Sequence, residues 1–384
     1  MGANPLLGVF LHWLGGLASA SFYVPFRRVR GWSWETYWLT GGIMSWIVAP
    51  WLLAGYLTHD LLHVLRSAPL SAILWIYFFG VLWGLGGLTF GLTMRYLGLS
   101  LGMSVALGYT AVFGTLVPPL FHRQFTQLLA QQSGIIILIG VGICIAGIVL
   151  AGAAGISKEI ELSQEEKLAS IQEFNLWRGL GVATFCGVMS SCFAFGLDAG
   201  NPIKALTVGR GTPVMWQGLP VLVVLLAGGF TTNLLWCLVL SLRNESYGEY
   251  LRIPSRSATN SMIHPPLENI TDAASTEMAL ELQLHPSGGP SLAVNYGFSA
   301  LAGATWYMQF FFYTMGETQM GHYRFSSWTL HMASIMIFST VWGIALKEWR
   351  GVSMRTKILV FVTLLTLLGS TMVVGYGNLR AVHS

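Results

Sequence analysis

Charge is what this 384-residue chain has least of. Asp, Glu, Lys and Arg together make up 9% of it, while apolar residues make up 54%. So few charges cannot cover a soluble fold of this size. Cysteine is scarce too: Cys144, Cys186, Cys192 and Cys237 all sit inside apolar stretches, without the short paired spacing of a zinc site or a disulfide framework. The sequence lacks a His-Glu-x-x-His metal helix, a Gly-x-Ser-x-Gly nucleophile turn and paired carboxylates in a polar catalytic stretch. An enzyme is therefore not expected, and neither a metal nor a cofactor is. The net charge of +4 makes no nucleic-acid patch, because the basic residues sit beside apolar runs.

Those runs dominate the chain. A bilayer core needs about 20 apolar residues per helix. Ten such stretches run roughly over Leu6–Pro25, Thr36–Leu57, Leu70–Gly91, Leu99–Phe121, Gly134–Gly155, Gly179–Asp198, Pro213–Leu242, Leu292–Thr314, Ser327–Leu346 and Lys357–Gly377. The expected fold is an all-α membrane protein with ten transmembrane helices embedded in a lipid bilayer. Of 20 Lys and Arg, the even-numbered loops and the termini hold only Arg66, Arg123, Lys204, Arg210, Arg324 and Arg380. The other fourteen lie in odd-numbered loops, which the positive-inside rule places in the cytoplasm, so both termini are expected outside. The first span carries Ala18, Ser19 and Ala20 like a signal-peptidase site, but no basic leader precedes it, and it reads as a retained helix.

The polar segment 157–178 divides the spans five and five, giving a first repeat over 1–156 and a second over 179–384. An odd number of crossings per half makes the halves enter the membrane from opposite sides. Ser19 and Phe22 match Ser190 and Phe193, and Gly80 and Trp83 match Gly303 and Trp306. Two inverted five-helix repeats are a transporter device, with the substrate near the midplane. A second polar stretch, about 243–290, reads as a flexible cytoplasmic loop, which makes its sequons at Asn244 and Asn269 idle.

Polar stripes within the spans mark an interior, because hydrogen-bonding side chains avoid lipid. Asn295, Ser299, Ala302, Trp306, Gln309 and Tyr313 recur at helical spacing along the eighth span. His12, Gly15, Ser19 and Tyr23 do so in the first, and Thr184, Ser191 and Asp198 in the sixth. Ser327, His331 and Ser334 mark the ninth span, and Ser100, Ser104, Gly108, Ala111 and Thr115 the fourth. Five polar faces point to one water-filled path. His12, His331, Asp198 and Glu317 fall near its outer mouth and are candidates for proton coupling, since an imidazole changes charge near pH 6.5. Glu35 lies beside Arg27, Arg28 and Arg30 and reads as an inner anchor. Trp83 and Trp306 lie deep, where an aromatic face beside amides and hydroxyls suits a sugar. Ser191, Asn295, Gln309, Tyr313 and Trp328 complete the candidate substrate-binding set.

Several segments resemble the L-rhamnose–proton symporter family of the drug/metabolite transporter superfamily. They are Trp32-Ser-Trp-Glu35-Thr36, Gly91-Leu-Thr-Met-Arg95-Tyr-Leu-Gly98, Glu173-Phe-Asn175-Leu, Trp306-Tyr-Met-Gln309-Phe-Phe-Phe-Tyr313, Ser327-Trp328-Thr-Leu-His331-Met332 and Leu346-Lys347-Glu348-Trp349. His12 also falls where this family carries a histidine. The resemblance implies import of L-rhamnose or a related 6-deoxy-hexose, driven by protons, across the bacterial inner membrane. An exporter of other small metabolites or drugs is the alternative with the same architecture. The loop between spans seven and eight is longer than that family's, and Asp198 and Glu317 fall in no motif of it.

Overall fold

The computed structural model describes residues 3–97, 99–161, 175–251, 291–347 and 349–383, and every regular element among them is helical. The membrane-scale helices are α1 (Pro5–Ser21, prolonged by Tyr23–Phe26), α2 (Trp34–Leu57), α3 (Leu70–Leu97), α4 (Leu99–Phe121) and α5 (Gln132–Glu161). They continue with α6 (Leu176–Ala199), α7 (Leu219–Arg243), α8 (Leu292–Thr318), α9 (Ser326–Ala345) and α10 (Met354–His383). Nine of these are long and apolar enough to cross a membrane. The other is α8: its 27 residues span about 40 Å, ample for a bilayer, but it carries the longest polar stripe.

Local chemistry explains several boundaries. Asn4 caps α1 by accepting from the Leu7 amide at 3.2 Å, and Pro5 follows where its missing N–H costs nothing. In α2, Ile43–Val48 widens into a π turn just before Pro50, which has no amide to continue the α ladder. Short helices Leu61–Ser67, Phe125–Ala130 and Asn201–Gly209 fill the connections after α2, α4 and α6. They are too short to give a periodic signal in the sequence.

Packing follows a pattern of exchanged pairs. α1 lies on α8 and α9, and α6 lies on α3 and α4. α2 crosses α8 as α7 crosses α3, while α5 and α10 share the most extensive interface. Glycine makes two of these crossings possible. A Cβ on Gly80 would lie 2.1 Å from the Leu225 carbonyl oxygen, and one on Gly303 would lie 2.0 Å from that of Gly41. No larger residue fits either place, so each helix pair meets backbone to backbone.

At one end of the bundle, Glu35 accepts from Asn244 Nδ2 at 3.0 Å and Ser246 Oγ at 2.7 Å. The chain leaving α7 is thereby fastened to the start of α2, and the Asn244 amide is engaged. Of the polar segments, 162–174 and 252–290 lie outside the described residues, with the Asn269 sequon and the Glu173-Phe pair. Gly98 and Glu348 of the other segments do as well.

Candidate functional site

Three helices bring their polar stripes together. His12 of α1, Tyr313 of α8 and His331 of α9 form one group: the Tyr313 ring stands 5.2 Å from each imidazole, edge to face. His12 is 0% exposed. Gln309, one turn from Tyr313, is buried on the same face, and its backbone carbonyl oxygen lies against Gly15 of α1. Both ring nitrogens of His12, Nε2 of Gln309, Nδ1 of His331 and Oγ of Ser327 lack a hydrogen-bond partner among the described residues. Each buried polar group left unpaired costs about 1–3 kcal/mol, and native proteins keep few of them. Their concentration on three adjoining helices makes this group the candidate site.

Aromatic rings extend this group into the bundle. Trp328 lies 5.8 Å from Tyr313 and donates its indole N–H to the Thr110 carbonyl of α4 at 2.8 Å. Gly114 makes room for that indole, since a Cβ there would lie 2.2 Å from Nε1. Phe193 of α6 stacks on Phe310 of α8 at 4.8 Å, and Trp83 of α3 meets both, at 5.3 and 5.4 Å. Beyond Phe310 come Trp306 and then Phe22, Trp38 and Trp46, around a cavity of about 10 Å³ that Ser45 also lines. Nε1 of Trp306, Nε1 of Trp46 and Oγ of Ser45 are buried without partners among the described residues. The π turn of α2 runs through this wall, and such turns are frequent at functional sites.

The other expected residues are placed differently. Asn295 is 1% exposed, but its amide is committed: Oδ1 accepts from the Arg30 amide at 3.2 Å and Nδ2 donates to the Arg30 carbonyl at 2.8 Å. It ties α8 to the α1–α2 connection. Ser191 is buried with its hydroxyl bonded to Val188 of its own helix, so α6 offers the group Phe193 instead of its polar stripe. Asp198 pairs with His122 at 2.6 Å, both side chains being over a third exposed, and also accepts from Asn201. Glu317 is held by Lys204, a partner 113 residues away that no local spacing reveals. Tyr23 does not follow His12 inward: it is 54% exposed beside Phe22.

The residues matched between halves make matching contacts. Phe22 meets Trp306 at 4.0 Å as Phe193 meets Trp83, and Gly303 crosses α2 as Gly80 crosses α7. The description L-rhamnose-proton symport protein fits residues 1–250 and 276–380 of the chain. The stretch between, 251–275, falls in the long polar loop. The L-rhamnose-proton symporter of Pectobacterium carotovorum subsp. carotovorum (strain PC1) is 33% identical over 377 residues, 98% of this chain and 99% of its own. Those of Yersinia pestis (strain Pestoides F) and Yersinia pseudotuberculosis serotype O:1b (strain IP 31758) are 33% identical over 373 residues, 97% and 98% of the respective lengths. Matched almost end to end, this chain belongs to the L-rhamnose-proton symport protein family, whose members are membrane transporters and not enzymes.

Proposed function

We propose that the protein imports L-rhamnose or a closely related 6-deoxy-hexose with protons, by alternating access, in the bacterial inner membrane. Ten helices cross the bilayer as two inverted repeats, 1–156 and 179–384, with 157–178 as linker, 243–290 as a cytoplasmic loop and both termini periplasmic. Two things support the duplication: the exchanged packing pairs, and the paired contacts Phe22–Trp306 and Phe193–Trp83. The polar stripe explains why α8 is the least apolar of the ten. A helix that lines a transport path faces ligand and neighbours more than lipid.

The observation that carries the reading is the set of unpaired buried polar atoms on His12, Gln309, Ser327 and His331, continuous with an aromatic column. A hexose offers hydroxyls to the first and C–H faces to the second. In this reading the sugar lies along Trp306, Gln309 and Tyr313, with Trp83 and Trp328 opposite, and the proton is carried by His12 and His331. The described conformation is closed, since these side chains are buried; the helices must part to admit a sugar and close again behind it. A proton drives the cycle only if the protonated site binds sugar differently from the neutral one.

The test is competition for labelled L-rhamnose uptake by proteoliposomes. Unlabelled L-rhamnose in excess should abolish uptake, while amphipathic cations should leave it unchanged. Inhibition by the cations with none by the sugar points to a drug exporter and contradicts the reading.

A further inference from the structure

Lys204 is only 3% exposed in a chain with few charges, on the short helix Asn201–Gly209 that follows α6. Its Nζ donates to both carboxylate oxygens of Glu317, at 3.0 and 3.1 Å. Ion pairs taken out of water are poor contributors to stability, and their best-attested use is in setting register or in switching.

The surroundings show what this pair holds. Glu317 stands one helical turn from Tyr313. Its neighbour Gly316 bears directly on the proposed proton site: a Cβ there would lie 3.0 Å from both Cε1 and Nε2 of His12 and 3.1 Å from the Gly8 carbonyl oxygen. On its far side, Thr314 packs on Gly218 before α7. The last turn of α8 is thus wedged against α1 and drawn by Lys204 toward the end of α6, covering the group from that side. The other polar pairs in these connections, His122 with Asp198 and Arg210 with His63, are exposed and do not touch this turn.

We propose that Lys204 is a positioning residue of the transport cycle: through Glu317 it latches the last turn of α8 over the His12–Tyr313–His331 group, and the latch opens to admit substrate. Two charges suit such a latch, because each is readily hydrated once they separate, whereas an apolar contact resists parting. The proposal rests on the alternating-access reading, but its test needs no sugar.

The reporter is Thr314→Cys, at a position 1% exposed in the latched turn. Its reaction with a water-soluble maleimide is followed by peptide mass spectrometry, with the native buried Cys144 and Cys237 as internal controls. Lys204→Met or Glu317→Gln should raise the reporter's reaction rate about tenfold or more by populating the open state. The two control thiols should stay unreactive. The exchanged pair, Lys204→Glu with Glu317→Lys, should bring the rate back to within about threefold of the parent. Single variants within about twofold of the parent would overturn the proposal. So would reaction of Cys144 and Cys237 alongside the reporter, which shows loss of fold, or an exchanged pair no better than the singles.

Discussion

His12 and His331 lie 6.5 Å apart, ring centre to ring centre, although 319 positions separate them in the chain. Tyr313 fills the angle between them. Two imidazoles this close would repel each other if both carried a proton. One proton shared with an incoming sugar is the economical state. His12→Gln and His331→Gln are therefore predicted to lower gradient-driven accumulation about tenfold or more, with sugar exchange at equal pH surviving in at least one of them. Paired accumulation and exchange assays read this out. If both variants still accumulate sugar in a pH-dependent way, neither histidine carries the proton.

The glycine crossings give a stability prediction. Gly303→Ala and Gly80→Ala force a methyl to within about 2 Å of a carbonyl oxygen, and overpacking of this kind typically costs about 1–3 kcal/mol. Gly87 is the control, with nothing within 4 Å of the place a methyl would take, and Gly87→Ala should be neutral or stabilising by up to about 1 kcal/mol. Thermal unfolding in detergent should separate the two crossings from the control. Equal midpoints for all three would mean that the helices spread without cost.

Trp328 makes a separate point. Its indole joins α9 to α4 through the Thr110 carbonyl, next to the Thr115–Thr329 hydroxyl pair at 2.8 Å. Trp328→Phe keeps a ring near Tyr313 but removes this donor from a carbonyl that the helix ladder of α4 still engages, at a cost of about 0.5–1.5 kcal/mol. Unfolding should therefore shift, and affinity for sugar should fall if the indole also touches it. A midpoint unchanged from the parent would show that the bond contributes nothing.

Much of this was legible in sequence, and the rest was hidden for identifiable reasons. Continuous apolar runs placed the long helices, with Leu99–Phe121 found at the bounds expected for it. Most other helices extend several residues further, α10 to His383 and α5 to Glu161, because polar ends still satisfy a helical backbone outside lipid. His12, His331, Gln309 and Tyr313 stood out as polar residues on apolar faces, and they converge. Phe193 and Phe310 complete the group but look like any core residue, although Phe310 lay within the longest family-like string. Asn295 followed the right periodicity, yet its amide is spent on the Arg30 backbone, a partner 265 residues away. Lys204 was invisible for the same reason: an ion pair over 113 residues leaves no local pattern.

Acid should loosen one joint outside the bilayer. Glu161 accepts from the Ser353 hydroxyl and amide and the Thr356 hydroxyl, at 2.5, 2.6 and 2.6 Å, fastening the end of α5 to the start of α10. Hydrogen bonds from Ser353 above all, and from Thr356, hold this carboxyl below the ordinary 4.5. A carboxyl lowered by folding stabilises above its unfolded value, and that contribution is lost as pH falls through the folded one. Glu161→Gln should therefore melt earlier than the parent near neutral pH, with the difference closing below about pH 4. A difference that persists unchanged in acid would contradict this origin.

Transport itself is tested most directly by labelled L-rhamnose uptake into tight proteoliposomes under an imposed inward proton gradient. The sugar should accumulate above its external concentration and leak back to equality when a protonophore collapses the gradient. Uptake that merely equilibrates, gradient or none, would contradict proton coupling, and no uptake by protein shown to be folded would contradict L-rhamnose as the substrate.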